Sequence, residues 1–128
     1  MIVKTYEGLA GSKNETMLKG GSAVTRRFLL EEDGVGFTLS DIRFGPGEGT
    51  QLWYKNHIEA NYIIEGEGIL EELDTGITHE LKPGVMYCLD KHDRHRIISK
   101  TPMRVICVFN PPLKGGEVHD EDGSYPTR

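Results

Sequence analysis

Short runs rich in Val, Ile, Phe, Tyr and Leu, each cut off by a glycine or proline turn, are what most constrain this chain. Ten such runs are strand candidates: residues 2–5, 27–30, 36–44, 50–55, 60–65, 68–73, 78–81, 86–89, 95–100 and 103–109. Between them lie Glu32-Asp33-Gly34, Gly45-Pro46-Gly47, Glu65-Gly66-Glu67-Gly68, Asp74-Thr75-Gly76, Lys82-Pro83-Gly84 and Thr101-Pro102. Glycine supplies positive φ in such turns and proline presets φ near −65°. The rhythm predicts an all-β sandwich or barrel. Residues 5–18 could hold one short helix; no long amphipathic helix, fixed repeat or low-complexity tract is present.

With 128 residues, the chain has room for one hydrophobic core and is read as a single domain, 1–128. The apolar share of 37% against 27% charged residues fits a globular protein. A net charge of −5, with no basic cluster interleaved with aromatics, argues against a nucleic-acid surface. No apolar run approaches a membrane span, and the N-terminus lacks a signal-peptide layout, so a cytoplasmic location with no membrane partner is expected. Cys88 and Cys107 sit inside strand-like runs without CxxC spacing and read as two buried free thiols. Residues 115–128 are polar and acidic, as a frayed tail would be, yet hold Glu117, His119 and Tyr125 close together.

Ten strands with Pro-Gly and Gly-x-Gly turns suit a jelly roll, the fold of cupins. Two stretches resemble the cupin motifs. One is Gly49-Thr50-Gln51-Leu52-Trp53-Tyr54-Lys55-Asn56-His57-Ile58-Glu59-Ala60 with the following Tyr62–Gly68, and the other is Leu81–Tyr87 with Asp90–His95. Gln51 and Trp53 stand where a generic cupin has its His-x-His, so an ordinary three-His, one-Glu site is not expected. The strings WYKNHIEA, YIIEGEG, LDKHDRH, CVFNPP and GGEVHDEDGSY resemble the ectoine synthase family, from about Ile2 to Tyr125.

That resemblance implies a two-sheet antiparallel cupin barrel and a metal-dependent lyase. The enzyme would close N4-acetyl-L-2,4-diaminobutyrate to the compatible solute ectoine, used against osmotic stress, with loss of water. It implies iron(II), or another divalent transition metal, held by Glu59, Tyr87 and His95. It further implies catalytic roles for Tyr54, Glu117 and His119, substrate contacts from Arg27, Ser40, Cys107 and Phe109, a tail (115–128) acting as a lid, and a homodimer in which residues 2–5 could be a shared edge. Carboxylate, phenolate and imidazole suit iron or another borderline metal better than a soft ion.

Read without the resemblance, each of these residues has a plain structural role. Glu59 could be a solvated strand end, Tyr87 a core aromatic, His95 a loop-edge histidine, Arg27 a surface charge beside Arg26, and Cys107 with Phe109 core packing. A rival triad of His57, His92 and His95 uses commoner ligands. The sequence also departs from the family on the substrate side. Ala23 stands four residues before Arg27, where the family has a Trp. Ser40 and Ile42 occupy positions that are often polar, unless a shifted alignment places Thr38 or Asp41 there. A related acylated diamine, a binding module without turnover, and a cupin dioxygenase are the competing functions.

Overall fold

A computed structural model describes residues 1–18 and 21–127. Its strands are β1 (Glu15–Leu18), β2 (Ala23–Arg27), β3 (Thr38–Phe44), β4 (Gly47–Glu48), β5 (Ile58–Glu65), β6 (Gly68–Glu72), β7 (Thr78–Leu81), β8 (Met86–Cys88), β9 (His95–Ser99) and β10 (Met103–Asn110). They form a six-stranded sheet, β1-β2-β3-β10-β5-β8, and a four-stranded sheet, β4-β9-β6-β7. Every pairing is antiparallel. The two-sheet all-β architecture matches expectation. Helical structure among the described residues is confined to 3-10 turns, as at Glu7–Leu9 and Glu31–Asp33.

Burial alternates with the two-residue period of a strand that has one face on a core. In β10, Met103, Val105, Cys107 and Phe109 are buried and the residues between them are not. In β5 the inward set is Glu59, Asn61 and Ile63. These side chains meet Leu70 and Leu81 of the smaller sheet in one core with Leu30, Leu52, Leu89 and Leu113.

Several sequence expectations are corrected, among them the strand at 27–30, since β2 ends at Arg27. Residues 2–5 form no strand; Lys4 instead reaches back to the Phe28 carbonyl (2.7 Å) and to Asp33. Residues 5–18 carry only the Glu7–Leu9 turn before entering β1. Residues 50–55 make a single bridge, Leu52 to His95, because beyond it the backbone turns to the C-terminal tail: the Trp53 N–H donates to the Gly123 carbonyl at 2.8 Å. Cys88, expected inside, is exposed on the outward side of edge strand β8, while Cys107 is buried as expected. Both are free thiols.

Candidate active site inside the barrel

Strand register assembles the site. Pairing of β2 with β3, β3 with β10, β10 with β5 and β5 with β8 aligns Arg27, Ser40, Cys107, Asn61 and Tyr87 in one row across the larger sheet. All of these are buried except Tyr87, which is half-buried. In the neighbouring row Phe109 stands between Thr38 and Glu59. His95 enters from β9 of the smaller sheet, so the interior is reached from both sides.

An inner cavity is lined by Glu59, Asn61, Tyr87, Tyr54, Cys107 and His119 together with Ile42, Phe44 and Val105. It shares Leu18, Phe44, Ile97 and His119 with an outer cleft bounded by the β3–β4 turn and Val118. Tyr87 and His95 also face a second cleft on the β7–β8 side. The structure thus brings Glu59, Tyr87, Tyr54, Cys107 and His119 to one cavity, whereas His95, Glu117 and Phe109 are not among the residues that line it. Ser40 and Arg27 lie beside that cavity in the same strand row, Arg27 beneath the tail.

The three proposed ligands differ in environment. Burial pushes the Glu59 carboxyl up to about 8, with the Asn61 carboxamide opposing the rise. Burial, and next the negative charge of Glu59, hold the Tyr87 phenol well above its ordinary range. Burial lowers the His95 imidazole. His95 Nδ1 lies 3.0 Å from the Asp93 carbonyl, which fixes Nδ1 as the protonated nitrogen and leaves Nε2 with its lone pair. That Nε2 is buried and makes no hydrogen bond. A neutral, oriented imidazole beside a carboxyl and a phenol is a donor set that fits iron(II). The Tyr87 and His95 ring centroids are 6.5 Å apart. Among the described residues no three His, Cys, Asp or Glu side chains cluster closely enough to hold a metal, which counts against the rival triad. His57 packs against Phe109 and Tyr125, and His92 Nδ1 instead lies 2.8 Å from the Tyr54 carbonyl.

The tail closes over this interior. Gln51 Nε2 donates to the Asp122 carbonyl (3.1 Å), the Lys55 N–H to Ser124 Oγ (3.1 Å), Lys55 Nζ to the Asp122 carboxylate (2.8 Å) and Asn56 Nδ2 to the Tyr125 carbonyl (2.9 Å). Tyr125 is buried, and its ring stacks on His119 at 4.7 Å. His119 Nε2 is 2.9 Å from the Tyr54 hydroxyl. Tyr54 in turn meets Phe109 edge-on at 5.2 Å.

Arg27 is 1% exposed, so the surface reading is excluded. Its guanidinium donates to Thr16 Oγ1 (3.3 Å) and to the Glu117 carbonyl (2.8 Å), and lies 5.4 Å over the Tyr125 ring. The Glu117 carboxylate accepts the Lys114 and Gly115 N–H groups, each at 2.7 Å. Burial would raise this carboxyl, but those amides and Arg27 hold it below the usual range, so it is ionised at neutral pH. Sequence reasoning missed Asn61 and the Lys55–Asp122 clasp. The signal for Asn61 was available: it shares inward parity with Glu59 and Ile63 in an otherwise apolar strand.

The comparisons agree with this geometry. A family model described as ectoine synthase matches residues 1–128. The L-ectoine synthase of Oceanobacillus iheyensis is 52% identical over 126 residues, covering 98% of this chain and 97% of that protein. That of Desulfatibacillum aliphaticivorans is 46% identical, with the same coverage of each. The crystal structure of ectoine synthase from P. lautus matches with a TM-score of 0.83 at 46% identity, over 90% of this chain and 81% of that one. An RmlC-like cupin from Shewanella frigidimarina, 22% identical with a TM-score of 0.61 over 74% of this chain and 81% of that one, shares the fold.

Proposed function

The chain belongs to the ectoine synthase family, and from that membership we propose that it closes N4-acetyl-L-2,4-diaminobutyrate to ectoine with loss of water. The reaction is that of a carbon–oxygen lyase. The observation that carries the reading within this structure is the shared cavity: Glu59, Tyr87, Tyr54, Cys107 and His119 come from β5, β8, β10, a loop and the tail, yet line one cavity.

In this reading Glu59, Tyr87 and His95 hold iron(II), or another divalent transition metal. Such an ion supplies Lewis-acid polarisation of an acyl oxygen. The chain's own residues do the rest. Arg27 faces the substrate carboxylate, since a guanidinium binds a carboxylate bidentately. Ser40 stands beside it in the strand row, with a buried Oγ that makes no hydrogen bond. Glu117, ionised and next to Arg27, receives the α-ammonium group, and His119 takes its proton, because only the neutral amine attacks. Tyr54 and His119, in contact through their hydroxyl and Nε2, relay protons toward the departing oxygen. Phe109 and Cys107 shape the wall against which the chain folds into its near-attack form. The tail excludes bulk water, which favours a dehydration.

A cytoplasmic enzyme working as a homodimer completes the proposal. No helix among the described residues is long and apolar enough to cross a membrane. Ile2 and Val3 are exposed apolar residues, available to a second copy.

The test is incubation of anaerobically purified protein with iron(II) and N4-acetyl-L-2,4-diaminobutyrate, with ectoine followed by liquid chromatography. Ectoine that forms with iron and stops on chelation is the expected result. Stoichiometric iron without ectoine would sink the substrate assignment and turn attention to related acylated diamines, for which the apolar Ile42 at the cavity wall would be the reason.

A further inference from the structure

Asn61 has chemistry that none of the roles above uses. It points inward on β5 between Glu59 and Ile63 and is 3% exposed. Register places it between Cys107 on β10 and Tyr87 on β8. It lines the inner cavity with Glu59 and Tyr87, where it is the one carboxamide among the described lining residues. Its Nδ2 is buried and meets no acceptor in hydrogen-bond geometry, although it opposes the rise of the neighbouring Glu59 carboxyl. A buried amide donor left unpaired is destabilising, and a valine of similar size would avoid that cost. On one side the adjoining row is apolar, with Ile42, Val105 and Ile63, and on the other stand Phe109 and Glu59.

The unpaired donor has the properties an anionic oxygen needs. It is neutral, it does not titrate, and it is held by a strand in the middle of a sheet. A preorganised donor in a dry site stabilises charge that develops on an acyl oxygen without reorganisation at the moment of reaction. We infer that Asn61 Nδ2 donates a hydrogen bond to the acyl oxygen of the substrate and strengthens it as ring closure proceeds. As the α-amino nitrogen adds to the acyl carbon, the carbon–nitrogen bond forms and the carbonyl π pair moves onto that oxygen, toward Asn61. The oxygen then leaves as water with two protons shed by the nitrogens, and the carbon–nitrogen double bond of the ring takes its place. This assignment rests on the cyclisation reading given above.

The test compares wild type with Asn61→Val and with Asn61→Asp, which keeps the shape but loses the donor. Three quantities are measured on iron-loaded protein: kcat and KM, metal per chain, and the unfolding midpoint. The expected result is a kcat lower by about 100-fold in both variants, as removal of an oxyanion donor gives. KM should rise far less than kcat falls, metal content should stay at the wild-type level, and the midpoint of Asn61→Val should not fall. A kcat within twofold of wild type would overturn the assignment. So would a loss of kcat that follows a loss of metal, since Asn61 would then serve Glu59 rather than the substrate. Asn61→Ser takes the place of a variant that does not fold. If wild type itself makes no ectoine, the cyclisation reading fails by itself. Calorimetric binding of the same compound then decides Asn61: tenfold weaker binding to Asn61→Val supports a contact with the acyl oxygen, and equal binding removes it.

Discussion

At the scale of the residue, the interior of this barrel is expensive to maintain, and the expense marks what the site is for. Glu59, His95, Ser40, Asn61 and Arg27 are all buried, and atoms of Ser40, Asn61 and His95 are left without hydrogen-bond partners. A chain selected only for stability would replace them with apolar groups. We expect Glu59→Ala, Tyr87→Ala and His95→Ala each to lower both bound metal and turnover, read by elemental analysis and product chromatography on the same samples. A variant with normal metal and full activity would strike its residue from the set. A contrasting case is Thr38, fully buried, whose Oγ1 accepts the Leu113 N–H at 2.8 Å. Thr38→Val keeps the volume but strands that amide, so stability should fall by about 1–3 kcal/mol while the metal content holds. Denaturant unfolding with unchanged slope checks this, and an unchanged midpoint would refute it.

At the scale of the element, the tail is the part whose role depends most on geometry. Gly123 has φ +77°, and a Cβ there would lie 2.0 Å from the Gln51 carbonyl oxygen. The same glycine's carbonyl accepts from Trp53. Gly123→Ala should therefore lift residues 120–125 off the loop below, combining the cost of a left-handed alanine with a steric clash. Two readouts follow. Tryptic cleavage after Lys114 should speed up, and kcat/KM should drop because His119 no longer meets Tyr54. Equal cleavage and equal kcat/KM in the variant would show that the tail does not depend on this clasp. The tail also shows where the sequence stopped being legible. Strands β5, β6, β7, β8, β9 and β10 follow from alternation and Gly/Pro turns, whereas the proposed ligands Glu59, Tyr87 and His95 come only from the family resemblance. Residues 50–55 alternate like a strand, but a two-residue period says nothing about the partner, which proves to be the tail rather than a full strand. Cys88 reads as buried because its neighbours are apolar; that it faces outward from an edge strand depends on sheet order. Asn61 was visible as a polar residue at an inward position, but its lack of a partner required coordinates.

At the scale of the whole molecule, the residues that are proposed to hold the metal come from both sheets. Glu59 and Tyr87 belong to the six-stranded sheet through β5 and β8, whereas His95 belongs to the four-stranded sheet through β9. A ligand that binds the folded chain and not the unfolded one stabilises it by mass action, about 2.7 kcal/mol when its concentration is 100 times its dissociation constant. An ion held by that set would bridge both sheets and resist their separation, the event that must occur when the core between Ile63, Leu70 and Leu81 opens. Chelation should therefore lower the unfolding midpoint of wild type and leave that of His95→Ala nearly where it was. A midpoint that responds to the chelator equally in both proteins would place the ion elsewhere. A Leu81→Ala control separates the two contributions. Leu81 is fully buried, so its truncation should cost about 2–5 kcal/mol through the cavity it leaves, with or without metal. Added to chelation, that loss should be nearly additive if packing and metal act independently. A sub-additive result would mean that the ion holds together the same sheet contact that Leu81 fills, and that the cavity and the core of this barrel are one energetic unit.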